Sequence, residues 1–147
     1  MEIGVSTASL FKREYNEDAL ATLNEIDARV CEIFLSTYCE YTEEFANLLK
    51  SRKGNLIVHS IHTLNTHFEP QLFGDNPRAI NDAYKIMGDC LNLAKTLDAH
   101  YYTLHGIARF KKNARYEDYE NIGKKFDKLV NFCKNFNVEL CLENVEW

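Results

Sequence analysis

Several signatures that usually betray function are missing from this 147-residue sequence. The formal net charge is −5, so the basic surface that dominates nucleic-acid binding is absent and no nucleic-acid partner is expected. The five cysteines (Cys31, Cys39, Cys90, Cys133 and Cys141) are odd in number, scattered, and contain no C-x-x-C pair. That excludes a disulfide framework or a zinc ribbon and reads as reduced, mostly buried thiols in a cytoplasmic protein. No apolar h-region opens the chain and no hydrophobic run approaches membrane-spanning length, so nothing indicates export or insertion. Glycine-rich phosphate cradles, dinucleotide fingerprints and nucleophile elbows are also lacking, which argues against oxidoreductase and serine-hydrolase chemistry. No linker or low-complexity stretch divides the chain. With 46% hydrophobic residues, it has enough apolar material for one domain, residues 1–147, with a substantial core.

What is present is a regular alternation. Short β-branched and aromatic runs predict strands at Glu2–Thr7, Val30–Ser36, Leu56–His62, His100–His105 and Val138–Val145. Helical patterns lie between them. Asn16 can cap a helix carrying Leu20, Leu23 and Ile26, and Thr42 one carrying Phe45, Leu48 and Leu49 that Gly54 would stop. Asn76 followed by Pro77 is the clearest start signal, because proline fits the first helical position without losing a needed N–H. The helix it opens carries Ile80, Ala83, Tyr84, Met87, Leu91, Ala94 and Leu97 on one stripe. A fourth runs from about Tyr116 and bears Ile122, Phe126, Leu129, Cys133 and Phe136. The order βαβαβαβαβ predicts an α/β domain with a parallel sheet and right-handed crossovers.

Strand parity adds a constraint. Val58, Ser60 and His62 are expected on one face, opposite Ile57 and Ile61. Likewise Tyr101, Thr103 and His105 oppose Tyr102 and Leu104, while Glu139, Cys141 and Glu143 oppose Leu140 and Leu142. Glu32 falls between Val30 and Phe34, opposite Cys31, Ile33 and Leu35. One face is apolar and suits packing under helices; the other is polar, whereas a sheet covered on both faces normally reads as continuously apolar. A polar site at the strand ends accounts for the difference.

Ser60-Ile61-His62, Leu104-His105-Gly106 and Leu142-Glu143-Asn144 place three ligating side chains where apolar runs stop, each about one strand–helix repeat from the next. Two imidazoles and a carboxylate are a common ligand set for a catalytic divalent metal. Read singly, each histidine fits equally a hydrogen-bonded residue at a strand end, and Glu143 fits a salt bridge to a loop lysine. A carboxylate following Leu140-Cys141-Leu142 is nonetheless costly to bury unpaired. His59 has the parity opposite to His62 and is expected to pack under a helix or hydrogen-bond there, and His100 begins its strand, away from the site.

These segments, together with Gly4-Val5-Ser6-Thr7, Cys31-Glu32-Ile33-Phe34-Leu35 and Phe68-Glu69-Pro70-Gln71-Leu72-Phe73, resemble the sugar phosphate isomerase/epimerase family. Those are the xylose isomerase-like TIM barrels, which also include abasic-site nucleases of the endonuclease IV type. The resemblance covers nearly the whole chain. It implies a partial (β/α) TIM barrel of about five parallel strands and four connecting helices, since a complete barrel has eight strands and typically ~250 residues. The chain is therefore expected to be the N-terminal portion of a longer barrel or a truncated protein. Open edges at its first and fifth strands would favour homo-oligomers.

The resemblance further implies a divalent cofactor (Zn, Mn, Co or Mg) held by His62, His105 and Glu143. The chemistry it implies is proton transfer on a small sugar or sugar phosphate, with Glu143 as ligand and base and a partner acid from later strands. Glu32 is carried over as a substrate-side acid, with a structural ion pair as its alternative. His67, with Phe68 and Phe73, lies in the loop after the third strand and either walls a substrate pocket or anchors that loop. Arg109 leads a basic cluster with Lys111, Lys112 and Arg115 after the fourth strand, suited to phosphate or to solvent. An abasic-site nuclease and a non-catalytic half-barrel remain the alternatives.

Overall fold

The computed structural model describes residues 3–64, 66–106 and 119–143. Five strands, β1 (Gly4–Ser6), β2 (Val30–Leu35), β3 (Ile57–Thr63), β4 (Tyr101–Leu104) and β5 (Glu139–Leu142), form one sheet in that order, every neighbour parallel. The crossovers carry α1 (Asn16–Glu25), α2 (Glu43–Arg52), α4 (Pro77–Thr96) and α5 (Tyr119–Lys134). These are the four expected connecting helices. A single turn, α3 (Glu69–Leu72), precedes α4, and 3-10 turns follow β1 at Thr7–Leu10 and β2 at Tyr38–Tyr41. Among the described residues no helix is long and apolar enough to cross a membrane.

Helix ends follow local chemistry. Thr42 accepts from the Phe45 N–H to cap α2, and Asn76 accepts from the Arg78 N–H ahead of Pro77 to cap α4. Asp27, Asp98 and Asn137 take left-handed conformations after α1, α4 and α5 (φ 54°, 58° and 58°), and Gly54 does so after α2 (φ 56°). In the first three the next residue donates back across the turn: Ala28 to Leu23, Ala99 to Ala94 and Val138 to Cys133. This is the Schellman closure, and Asp and Asn accept its strained residue better than other side chains with a Cβ. Each closure releases the chain directly into the following strand.

The core lies between the sheet and the helices. Cys31, Ile33 and Leu35 of β2, Ile61 of β3, and Tyr102 and Leu104 of β4 meet Leu20, Leu23, Leu49, Met87, Leu91 and Leu129, all at most 1% exposed. Burial pushes the Cys31 thiol up to about 11, with Lys53 partly opposing, and the Cys133 thiol up to about 12. All five cysteines are free.

Two sequence expectations are corrected here. Asn16 does not cap α1: it is the first helical residue, and its buried amide donates to Phe34 O and Glu40 Oε1 and accepts from Thr7 Oγ1. The cap position falls to Tyr15, and Ile26, just past the helix, is 62% exposed. The parity of β3 also breaks. Cys31 pairs with Val58 but Glu32 pairs with Ser60, so His59 is an extra residue in the ladder. The bulge puts Val58 (1% exposed) in the core with Ile61 and turns Ile57 (52%) to the other side. His59 consequently does not pack under a helix; it is exposed, its ring 4.7 Å from that of Tyr101. From Ser60 onward the expected alternation holds, as it does throughout β2 and β4.

Candidate metal centre

Parallel strands deliver their C-terminal ends to one rim, and the register sets which side chains meet there. Phe34 pairs with His62, His62 with Thr103, and the Glu143 N–H donates to Leu104 O, so His62, His105 and Glu143 rise from adjacent strand ends. Gly106 follows His105 at φ 84°, a left-handed turn glycine adopts freely as the chain leaves β4.

The three side chains converge. His62 Nε2 lies 3.0 Å from His105 Nε2 and 3.5 Å from Glu143 Oε2, and His105 Nε2 lies 3.4 Å from the same oxygen. Among the described residues this is the group of ligating side chains that can hold a metal ion. The triangle suits a small cation, because ligands at ~2.0–2.2 Å in tetrahedral or octahedral arrangements stand about 3.0–3.5 Å apart. The remaining ring nitrogens face carboxylates: His105 Nδ1 lies 3.1 Å from Glu69 Oε2, and His62 Nδ1 lies 3.5 Å from Glu32 Oε1. With their Nδ1 atoms protonated toward those carboxylates, the two Nε2 atoms turn lone pairs on each other, an arrangement that calls for a proton or a cation between them.

The surrounding charge has the matching sign. Burial opposes a charged His105, but the hydrogen bond and charge of Glu69, with the charges of Glu143 and Glu32, outweigh it and hold this imidazole above its usual range. Glu32 accepts from Ser6 Oγ and Ser60 Oγ at 2.9 Å each and from Thr103 Oγ1 at 3.4 Å. Burial alone would raise its carboxyl. The interactions with His62, Ser60 and Ser6 more than offset that and bring it down to about 2 from an ordinary 4.5. A depressed carboxyl contributes stability that is complete above pH 4.5 and is lost as the pH falls toward 2, worth about 3 kcal/mol for such a shift. Urea unfolding of the metal-free chain is expected to show wild type more stable than Glu32→Gln at pH 6, with the gap narrowing to about half by pH 3 and closing only near pH 2; a gap independent of pH would contradict this.

The other sequence candidates lie elsewhere. His67 is fixed by Tyr41, whose hydroxyl is 2.8 Å from its Nδ1, and by Tyr38, stacked on its ring at 4.8 Å. Phe68 is 1% exposed, and Phe73 packs on Phe126 at 4.9 Å, so this loop is anchored by its aromatics. His100 is exposed at the start of β4. Arg109, Lys111, Lys112 and Arg115 fall outside the described residues. A cavity of about 630 Å³ near the ends of β1 and β2 is lined in part by Phe11, Phe34, Phe45, Lys12 and Arg13 and by none of the cluster's own residues. Of its lining, Phe34 also lies edge-on to His62 at 5.4 Å.

Sequence reasoning gave no role to Glu69, Ser6 or Ser60. Only Ser60 carried a signal, as a small polar residue at inward parity beneath His62. Ser6 meets Glu32 across 26 residues and Glu69 meets His105 across 36, separations that local pattern does not report.

Residues 19–147 match the family model of xylose isomerase-like TIM barrels. The chain belongs to this family. No curated protein matches the chain. Among solved structures, it is similar to a D-tagatose 3-epimerase-like protein at 17% identity and a TM-score of 0.77, covering 100% of this chain and 54% of that one. A D-psicose 3-epimerase from Clostridium cellulolyticum H10, solved with D-tagatose, gives 16% identity and a TM-score of 0.74, with 97% and 52% covered. A D-allulose 3-epimerase from Methylomonas sp., in complex with D-allulose, gives 15% and 0.69, with 99% and 52% covered. At these identities the likeness establishes the family's fold: five parallel strands and their helices form a partial (β/α) barrel. The chain spans about half the length of these structures.

Proposed function

We propose that the chain is the N-terminal portion of a metal-dependent isomerase or epimerase acting on a small sugar or sugar phosphate. The observation that carries this reading is the convergence of His62 Nε2, His105 Nε2 and Glu143 Oε2 within 3.0–3.5 Å at the ends of adjacent strands. A divalent cation (Zn, Mn, Co or Mg) held by His62, His105 and Glu143 would supply Lewis acidity toward a carbonyl and the hydroxyl on the adjacent carbon, acidifying the C–H of that carbon. Glu143, with 41% of its side chain exposed against 12% for each histidine, is the most open member of the set and in this reading moves that proton. Glu32 stands behind His62, its carboxylate 3.5 Å from Nδ1, and steadies that imidazole with Ser6 and Ser60. His67, held by Tyr38 and Tyr41, serves in this reading to anchor the loop after β3.

The activity belongs in this proposal to a protein of the length of the solved epimerases, with the 147 residues binding metal without turnover. Ile3 at the β1 edge (81% exposed) and Leu142 at the β5 edge (57%) support homo-oligomers, and the unpaired thiols support a cytoplasmic setting. Native mass spectrometry with elemental analysis tests the reading. Near-stoichiometric divalent metal in the wild type, lost in Glu143→Ala, is expected. A metal-free wild type, or equal metal in both, would sink it, and salt-sensitive DNA binding would move the assignment to an abasic-site nuclease.

A further inference from the structure

One ionisable side chain of this region is fully buried and belongs to none of the assigned roles. Glu69, the first residue of the single turn α3, is 0% exposed. An ionised carboxylate only accepts hydrogen bonds, so its neighbours must supply protons. Thr63 Oγ1 donates to Oε1 at 2.9 Å, and the Tyr102 hydroxyl, itself 2.7 Å from Thr63 Oγ1, lies 3.4 Å from the same oxygen. Oε2 receives the backbone N–H of His105 at 3.1 Å and faces its ring Nδ1 at 3.1 Å. One carboxylate oxygen thus grips both the main chain and the ring of a single histidine, fixing the ring's direction as well as its protonation.

The two histidines are not held alike. Glu32 is 26% exposed and shared among two serines and a threonine, and it reaches His62 Nδ1 only at 3.5 Å. Glu69 is sealed from water and spends one whole oxygen on His105. The backbone N–H at that oxygen is an obligate donor, so the oxygen remains an acceptor and Nδ1 beside it must carry the proton. Nε2 is then left as a lone pair facing His62 and Glu143.

We propose that Glu69 is the positioning residue for His105, holding its ring in the Nδ1–H tautomer so that Nε2 is presented to the cation. This rests on the metal-centre reading for its affinity readout but not for its tautomer readout. Carboxylates behind ligating imidazoles act in this way generally, and their loss costs ~10–100-fold in metal affinity.

The test uses the complete 147-residue chain, ¹⁵N-labelled and metal-free. Long-range ¹H–¹⁵N correlation spectra read the His105 tautomer, and competition with a chromophoric chelator reads zinc affinity. At a pH high enough to leave the ring neutral, wild type is expected to show Nδ1–H on His105. In Glu69→Ala the Nε2–H form should appear and zinc affinity should fall ~10–100-fold. Glu69→Gln, closest in shape and the safer folder, should keep Nδ1–H through its amide oxygen, shift that proton upfield and bind zinc ~10-fold more weakly. Tyr102→Phe, which removes an anchor of Glu69 without touching His105, should lower stability and leave tautomer and zinc affinity unchanged. Wild-type Nδ1 signals and zinc affinity in either Glu69 variant would overturn the proposal. A wild type that takes up no zinc refutes the metal reading instead, and the tautomer change in Glu69→Ala still decides the role of Glu69.

Discussion

Replacing His105 by alanine is expected to weaken zinc binding by well over ~100-fold, because losing a ligand should cost more than losing a group that merely orients one. His62→Ala should do the same, and His59→Ala, His67→Ala and His100→Ala should leave zinc affinity unchanged. The contrast follows from position. His62 and His105 meet at 3.0 Å between Nε2 atoms, while His59 lies against Tyr101, His67 between Tyr38 and Tyr41, and His100 in solvent at the far end of its strand. Titration of all five variants with zinc against a competing chelator, with circular dichroism to establish folding, measures the effect. Equal affinities across the set would refute the centre, and a loss in His67→Ala would relocate it.

The second large effect concerns β3. Ile61→Ala is expected to destabilise the chain by about 2–5 kcal/mol, the range for truncating a fully buried isoleucine. Ile57→Ala should cost under about 1 kcal/mol, since its side chain is half in water. Simple alternation puts the two on one face, yet Ile61 is 0% exposed and Ile57 52%. Paired urea denaturation curves decide between the alternating and the bulged strand, because equal losses would mean that the bulge at His59 is absent.

Much of the architecture was legible because its causes are local. β-branched runs gave all five strands to within one to three residues at each described end, and Asn76-Pro77 and Thr42 gave two helix starts through caps made by neighbouring residues. Asp27-Ala28, Asp98-Ala99 and Asn137-Val138 are as local as Gly54, but an acidic or amide residue before a small apolar one is a weaker sign than glycine, so three of four helix closures went unread. Asn16 looked like a cap by type and position; Glu40, 24 residues away, and the Phe34 carbonyl draw its amide inward instead. The three candidate ligands could be picked out because each ends an apolar run. Glu69 could not, since nothing near it in the chain signals that His105 will arrive at its oxygen.

The extra residue in β3 also bears on how sequences are lined up. Up to Val58 the strand counts in one frame, and from Ser60 it counts in another. A relative whose corresponding strand runs without a bulge would therefore match this chain only with a one-position gap inside a core strand, a placement normally rejected as an error. Closing that gap would slide a neighbouring residue into the place of His62 and conceal the ligand. For this strand the imperfect alignment would be the structurally correct one.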